Sequence, residues 1–386
     1  MRSALLRGAA IALETIERRR VSLALALREG YRKARIWRPE EKTLVKELVV
    51  ASLRYFPEAD LLLEEERLRG PPLRRKCAFR VAYSAIRCGI LTPQDISAVK
   101  GGLLPGRLWR ILSGRPVDRA LSLIDALDPI RKLAVSYTTP PWIVEVLLEK
   151  LGASGTERAL RAMWKAPVWL RVNTLRAGES ETIEKLRKLG VKLRKDKELP
   201  YVYEVVRAPD EVFTAKPFTE GLVVKEDKGS SIVVHALAPA RSDRILDAAA
   251  APGIKTSHIF QLAGTEIVAC DVSRKRVREM VSLMKRLGYD ASVVVCDSRT
   301  PPLRRAFSKA LVDAPCSNSG ALGSDPALRL ALWSKPPIER YTEIQLAILR
   351  GVARVIERGG VVLYATCSLL PEEGEEVKPE GYRDPG

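Results

Sequence analysis

Short runs of β-branched residues recur through the second half of the chain: RILD ending at Asp247, IVACD over 267–271, ASVVVCD over 291–297, ALVDAPCS over 310–317 and GGVVLYATCS over 359–368. Turn-forming residues bound each run, and apolar patterns of helical period lie between them. That alternation predicts a mostly parallel sheet built from strand–helix–strand units. The first third of the chain reads differently. Leu5, Leu6, Ala9, Ile11, Leu13 and Ile16 form an apolar face broken by Arg and Glu, and Leu44, Val45, Leu48 and Ser52 repeat at the same period. Further helices are expected over 73–87, from Thr92-Pro93 onward, over 103–113 and over 117–127. Between these regions the pattern is mixed, with helices over 140–151 and 157–165, a strand in VWLRVNTLR (168–176), a helix over 179–189 and a strand over 201–206. Three domains follow: an all-helical one over 1–130, a small α/β one over 140–225 and a larger α/β one over 226–386.

RILDAAAAPGIKTSHI, over 244–259, organises the larger domain. A strand ends at Asp247, four alanines let a ligand approach the backbone, Pro252 and Gly253 turn the chain, and a helix starts near Lys255. A strand, tight turn and helix leave unpaired helix N–H groups pointing at the space outside the carboxyl ends of the strands, where open α/β sheets bind ligands. An Ala-rich corner of this kind serves equally as plain packing. The next two runs each end in a carboxylate, Asp271 and Asp297, at roughly the spacing that places an acidic residue on ribose hydroxyls. Unusually, the last two runs each close on a cysteine, Cys316 and Cys367.

Composition narrows the function. A chain of 386 residues that is 46% hydrophobic can build two or three domains with real cores. No apolar run is long enough to cross a bilayer, and the basic start lacks a signal-peptide core, so the cytoplasm is expected. Six cysteines without a CxxC pair, beside two histidines, argue against zinc, and no metal is expected. A formal net charge of +18, from 65 Lys and Arg against 47 acidic residues, favours a polyanionic partner without separating RNA from DNA. RGPPLRRK over 69–76 is a basic loop suited to phosphates or simply solvated. Arg171 and Asn173, two apart in a strand, share a face. Exposed, they contact a nucleic-acid backbone; buried, they satisfy a junction between domains.

VNTLR at 172–176, DAAAAPGIKT at 247–256, DAPCSNSG at 313–320 and TCSLLPEE at 366–373 occur in one order. On these segments the chain resembles the RNA cytosine-5 methyltransferases of the RsmB/Nop2/Sun class from about residue 137 to 375, and its helical beginning resembles the NusB-like RNA-binding domain fused to some members. The two cysteine segments together are specific, whereas either alone is weak. The resemblance implies a Rossmann-like S-adenosylmethionine-dependent methyltransferase domain preceded by a small mixed α/β domain and an all-helical NusB-like domain. It implies S-adenosylmethionine as cofactor, RNA as partner, ribosomal RNA before transfer RNA, and no particular oligomer. Ala251, Pro252, Gly253 and Lys255 would surround the methionine portion of the cofactor, Asp271 would bind its ribose, Arg276 would support that pocket and Asp297 would face the adenine. Cys367 would attack the base, Cys316 would aid release, and Asp313 would contact the target base. Lys255 and Asp313 belong to the catalytic and the cofactor groups alike, and Arg171 and Asn173 are the expected RNA contacts.

Chemistry agrees with those roles. Cytosine C5 is a poor nucleophile until a thiolate adds at C6 and makes C5 enamine-like, and cysteine is the residue that can both add and leave. After methyl transfer a base must remove the C5 proton before the thiol is freed. Three departures from the class stand out. Ile254 replaces the second glycine usual after PG, Gly374 replaces the asparagine of PEEN, and nineteen residues follow Cys367, fewer than the two strands and helix with which the class finishes its sheet. The tail EEGEEVKPEGYRDPG lacks apolar alternation and is expected as loop or disorder. A non-catalytic RNA-binding or ribosome-assembly factor is the rival reading, though it has weaker reason to keep both cysteines. A DNA cytosine methyltransferase would attack with the PC-type cysteine, Cys316, and use a separate glutamate segment that is not identified here.

Overall fold

The computed structural model describes residues 2–66, 71–97, 102–164, 166–289, 292–304 and 306–379. They form two compact units, one of residues up to 166 together with Asn318–Pro336, the other of Pro167–Ser317 with the chain from Pro337 onward.

Helices Arg2–Arg19, Leu23–Ala34, Pro39–Glu65 and Leu73–Arg87 build the first unit, followed by the shorter Pro93–Ser97, Gly106–Ser113, Pro116–Asp125 and Pro129–Ser136. Proline opens several of them, where its missing N–H costs no helical bond, and the Asp128 carboxylate caps the last by accepting from the amide of Arg131. Leu6, Leu13, Ile16, Leu48, Leu53, Phe56 and Phe79 are buried at the centre of this unit. Arg80 is buried among them because Asp60 accepts from it at 2.8 and 2.6 Å and Glu17 at 2.5 Å. Helix Pro141–Trp164, expected with the small α/β segment, belongs to this unit, and it breaks at Gly152, whose φ of 64° and ψ of 179° no helix allows.

The segment Asn318–Pro336 completes the unit from far along the chain. Ala327, Leu330 and Ala331 on its short helix Ala327–Ala331 enter the same core, and Trp333 packs edge-on against Phe56 at 4.8 Å between ring centroids. Arg329 is buried and donates to the carbonyls of Tyr137, Thr138 and Met163 at 2.7 to 3.0 Å. Burial and the nearby charge of Arg54 lower its guanidinium to about 10.

The second unit contains two sheets. In the smaller, strands β1 (Val168–Val172), β2 (Lys192–Lys195), β3 (Val202–Arg207) and β4 (Val223–Lys225) lie in the antiparallel order β2-β3-β1-β4. Leu170, Val172, Tyr203 and Val223 bury one side of it against Leu186 of helix Glu179–Lys188.

The larger sheet has strands β5 (Arg244–Asp247), β6 (Glu266–Asp271), β7 (Ser292–Val295), β8 (Phe307–Asp313) and β9 (Ile356–Ala365), all parallel, in the order β7-β6-β5-β8-β9. Alternation along each strand fills two cores. Leu246, Val268, Cys270, Ala310 and Val312 face one side with Ile348 and Val352 of helix Glu339–Ala353, while Ile245, Ile267 and Leu311 face the other with Ile259 of helix Ile254–Ala263. Cys270 and Cys296 therefore point inward, as expected. Sequence order reverses between β5 and β8, which makes their carboxyl ends the switch point of the sheet. Past β9 the chain makes the turn Pro371–Glu373, and Val377 tucks back into the core; the last seven residues of the expected loose tail lie outside the described residues. Among the described residues no helix is long and apolar enough to cross a membrane.

Candidate active site

Five carboxyl ends of parallel strands meet at this edge. At the end of β5, Asp247 is buried, with one oxygen accepting from Thr256 Oγ1 at 2.6 Å and Oδ1 without a hydrogen-bond partner. Burial, with a contribution from the charge of Asp313, pushes its carboxyl up to about 7. The alanine loop that follows is tied down on both sides, since Ala248 N donates to Leu311 O at 2.9 Å and Ala250 N to Cys270 O at 2.8 Å. Gly253 closes the turn with φ 99°, and a Cβ there would stand 2.7 Å from Met284 Cε and 2.9 Å from Met280 Cγ. Ile254, the substitute for the usual glycine, packs against the cluster that contains Met280 and Met284.

On β6, Asp271 is buried; its Oδ1 accepts from Ser273 N at 2.8 Å and its Oδ2 lies 3.4 Å from Arg276 Nη2. Arg276 also donates to the carbonyl of Ala251, so one side chain joins the alanine loop to the β6 carboxylate. Beyond β7, Asp297 accepts from the backbone and guanidinium of Arg299 at 2.6 to 3.0 Å, which holds its carboxyl below the usual range. Arg299, two residues on, had no signal in the sequence beyond its charge.

The last two strands carry the reactive groups. Asp313 at the end of β8 meets Lys255 Nζ at 2.7 Å, and although burial acts to lower the ammonium, the Asp313 charge raises it overall. Cys316 is buried, Cys367 is exposed, and their sulfur atoms lie 2.9 Å apart. The hydrogen bond with Cys316, followed by burial, pushes the Cys367 thiol up; Asp313 adds to that rise and Lys255 opposes it. Glu373 is buried beside both cysteine loops, accepting from Ser317 N and Ser368 Oγ. The structure thus gathers Lys255, Asp313, Cys316 and Cys367 into one cluster, and Ala251, Pro252, Gly253, Asp271 and Arg276 into an adjoining loop cluster. Among the described residues no group of three or more His, Cys, Asp and Glu is arranged to hold a metal ion.

Arg171 and Asn173 do not belong to that surface, and their expected contact with RNA is corrected here. Both are 1% exposed. Arg171 donates to Glu226 Oε2 at 2.5 Å, to Ser257 Oγ at 2.7 Å and to Gln261, while Asn173 Nδ2 donates to the carbonyls of Gly221 and Leu287 at 2.8 Å each. They stitch the small sheet to the helices of the large one. Burial would raise the Glu226 carboxyl, but Arg171 and His258 hold it at about 2. In the basic stretch 69–76, residues 69 and 70 lie outside the described residues, and Arg74 and Lys76 are paired with Glu14 and Asp60.

The fold and the cysteine-bearing strand ends define a Rossmann-like α/β methyltransferase. Residues 234–380 match the 16S rRNA methyltransferase RsmB/F family, and residues 139–208 match the ferredoxin-like domain of RsmF/B-like methyltransferases. The chain belongs to the RsmB/F methyltransferase family, a family of S-adenosylmethionine-dependent enzymes. Ribosomal RNA small subunit methyltransferase B of Vibrio vulnificus (strain YJ016) is 28% identical over 384 residues, covering 94% of this chain and 87% of that protein. The crystal structure of PH0851 has a TM-score of 0.75 at 25% identity and covers 97% of this chain and 88% of its own. A methyltransferase homolog protein from Pyrococcus horikoshii has a TM-score of 0.55 at 27% identity, covering 65% of this chain and 81% of its own.

Proposed function

We propose that this methyltransferase transfers the methyl group of S-adenosylmethionine to C5 of a cytosine in RNA, with small-subunit ribosomal RNA as its substrate. The observation that carries the reading is the pair of thiols at the ends of two neighbouring strands, beside the Lys255–Asp313 ion pair. The printed name of the Vibrio relative, a ribosomal RNA small subunit methyltransferase, supports the choice of RNA.

The residues present fit the cofactor. The alanine loop offers backbone without side-chain bulk, and the buried Asp247 Oδ1 awaits a donor. Ala251, Pro252, Gly253 and Lys255 would hold the methionine portion, Asp271 and Arg276 the ribose, and Asp297 the adenine. When bound, S-adenosylmethionine supplies a methyl carbon activated by its sulfonium. Cys367 releases its proton to solvent and adds as the thiolate to C6 of the base, and the C5–C6 electron pair becomes available at C5. Asp313, oriented by Lys255, accepts from the N4 amino group of the base, and the Lys255 ammonium beside it offsets the negative charge that develops as the thiolate adds. Cys316 is the side chain assigned to take the C5 proton; the C5–H electron pair then re-forms the C5–C6 double bond and the C6–S pair leaves with the Cys367 sulfur. The helical unit contributes affinity for the RNA, consistent with the +18 charge of the chain.

Mapping 5-methylcytosine in total RNA with and without the gene tests the proposal. One site in small-subunit ribosomal RNA should disappear with the gene and return with the wild-type copy. Disappearance of a transfer RNA site instead would redirect the substrate, and an unchanged map would remove the enzymatic reading.

A further inference from the structure

We propose that Glu373 is a positioning residue for both thiols: a buried carboxylate that ties the Cys316 loop to the Cys367 loop and thereby sets the separation of the two sulfurs. The kinetic part of this inference rests on the cytosine-methylating reading above, while its geometric part does not.

Glu373 ends the turn Pro371–Glu373 and has no exposed surface. Its Oε1 accepts from the amide of Ser317 at 2.8 Å, one residue past Cys316, and its Oε2 accepts from the hydroxyl of Ser368 at 2.6 Å, one residue past Cys367. Gln345, also fully buried, donates through Nε2 to Glu373 Oε1 at 3.2 Å and to the carbonyl of Pro315 at 3.0 Å, one residue before Cys316. The hydroxyls of Ser317 and Ser368 lie 3.3 Å apart, and Tyr364 donates to the Glu373 carbonyl at 2.7 Å. Both cysteine loops are therefore fastened at the residue next to sulfur, and to the same carboxylate.

Packing alone gives no reason for a carboxylate here, since burying one costs far more than burying an apolar side chain of its size. A carboxylate is, however, a rigid fork with two acceptor oxygens. Each oxygen can hold a different loop, and the distance between the loops is then set by the width of the fork. Alanine at 373 would leave Ser317 N and Ser368 Oγ without this acceptor and free the loops to drift apart. Glutamine keeps the shape and one acceptor while turning the other oxygen into a donor, which the Ser368 hydroxyl can accommodate by rotating.

The test uses phenylarsine oxide, which binds tightly only where two thiols lie close together. Wild-type protein should take up one equivalent reversibly, and Cys316→Ala should abolish this uptake, showing that the buried Cys270 and Cys296 do not contribute. Glu373→Ala should weaken arsenical binding at least tenfold, Glu373→Gln several-fold less, with S-adenosylmethionine affinity unchanged in both. With authentic RNA, kcat should fall about a hundredfold in Glu373→Ala while KM for S-adenosylmethionine holds, and Glu373→Gln should recover part of the loss. Should Glu373→Ala fail to fold, Glu373→Gln and Ser368→Ala carry the same comparison. Unchanged arsenical affinity and kcat in the folded variants would overturn the proposal. Arsenical binding that depends on Glu373 in a protein that methylates no RNA would leave the positioning role standing and defeat the functional reading instead.

Discussion

Cys316 and Cys367 are separated by 51 positions in the chain, yet their sulfur atoms lie 2.9 Å apart at the carboxyl ends of the paired strands β8 and β9. Of the two residues Cys367 is the exposed one and Cys316 the buried one, which favours Cys367 as the group that meets the base. Cys367→Ala should therefore abolish methyl transfer and the covalent RNA adduct while leaving cofactor affinity intact. Cys316→Ala should methylate once at most and accumulate the adduct, visible on denaturing gels with labelled RNA. An adduct that persists in Cys367→Ala and vanishes in Cys316→Ala would exchange the two roles.

Lys255 and Asp313 act on the Cys367 thiol with opposite signs. Lys255→Gln should move the midpoint for alkylation of Cys367 upward by on the order of 1 pH unit, and Asp313→Asn should move it downward. Iodoacetamide rates across pH, followed by peptide mapping of Cys367, measure both. Shifts of the same sign in the two variants would mean that the ion pair acts only by holding the loop in place.

The Asp247 carboxyl is raised to about 7 in the folded protein, well above its value of 3.8 without such burial. Between those two values the folded state holds a proton that the unfolded state has lost, so this residue favours folding at low pH and its contribution falls as pH rises from about 4 to about 7. The expected slope is about 1.4 kcal/mol for each pH unit in that window. Asp247→Asn should lack it, so urea denaturation of the two proteins at pH 5, 6, 7 and 8 should give stability differences that change with pH and level off above 7. Parallel pH dependences would place the titration elsewhere.

Arg171→Met should destabilise the second unit by about 3–5 kcal/mol, because Glu226 would stay buried with its main positive partner gone. RNA affinity of the folded variant, measured by filter binding at low temperature, should match wild type. A variant of normal stability with weakened RNA binding would return Arg171 to the RNA surface.

Much of this architecture was readable because local pattern and tertiary role agree. Helix Leu73–Arg87 has the bounds its periodicity predicts, and β5, β6, β8 and β9 fall within a few residues of their β-branched runs, since strands buried on both faces have little room for polar residues. β2 was not readable. KLRK has one apolar residue in four and becomes a strand only by pairing with β3. Arg171 misled for a related reason: a guanidinium in a strand looks exposed until its acceptors are known, and Glu226 lies 55 residues away. The site divides the same way. Cys316, Cys367, Asp313 and Lys255 are carried by short motifs, whereas the work of Glu373 and Gln345 depends on contacts reaching 56 and 30 residues along the chain.

The excursion of Asn318–Pro336 into the helical core has a consequence for the order in which the protein can be made. Synthesis delivers the amino-terminal helices first, but Ala327, Leu330, Ala331 and Trp333, which close their core, are translated only after β5 to β8. Neither unit is a contiguous stretch of chain, so the nascent helices must wait, with an apolar face uncovered, until most of the second unit has been made. For the same reason the helices are not a detachable module: removing residues 1–130 would strip the segment that leaves Cys316 of the core it is built into. A chimera or truncation that respects the molecule must cut at 166, 317 and 336 together, rather than at the single boundary a linear reading of the chain invites.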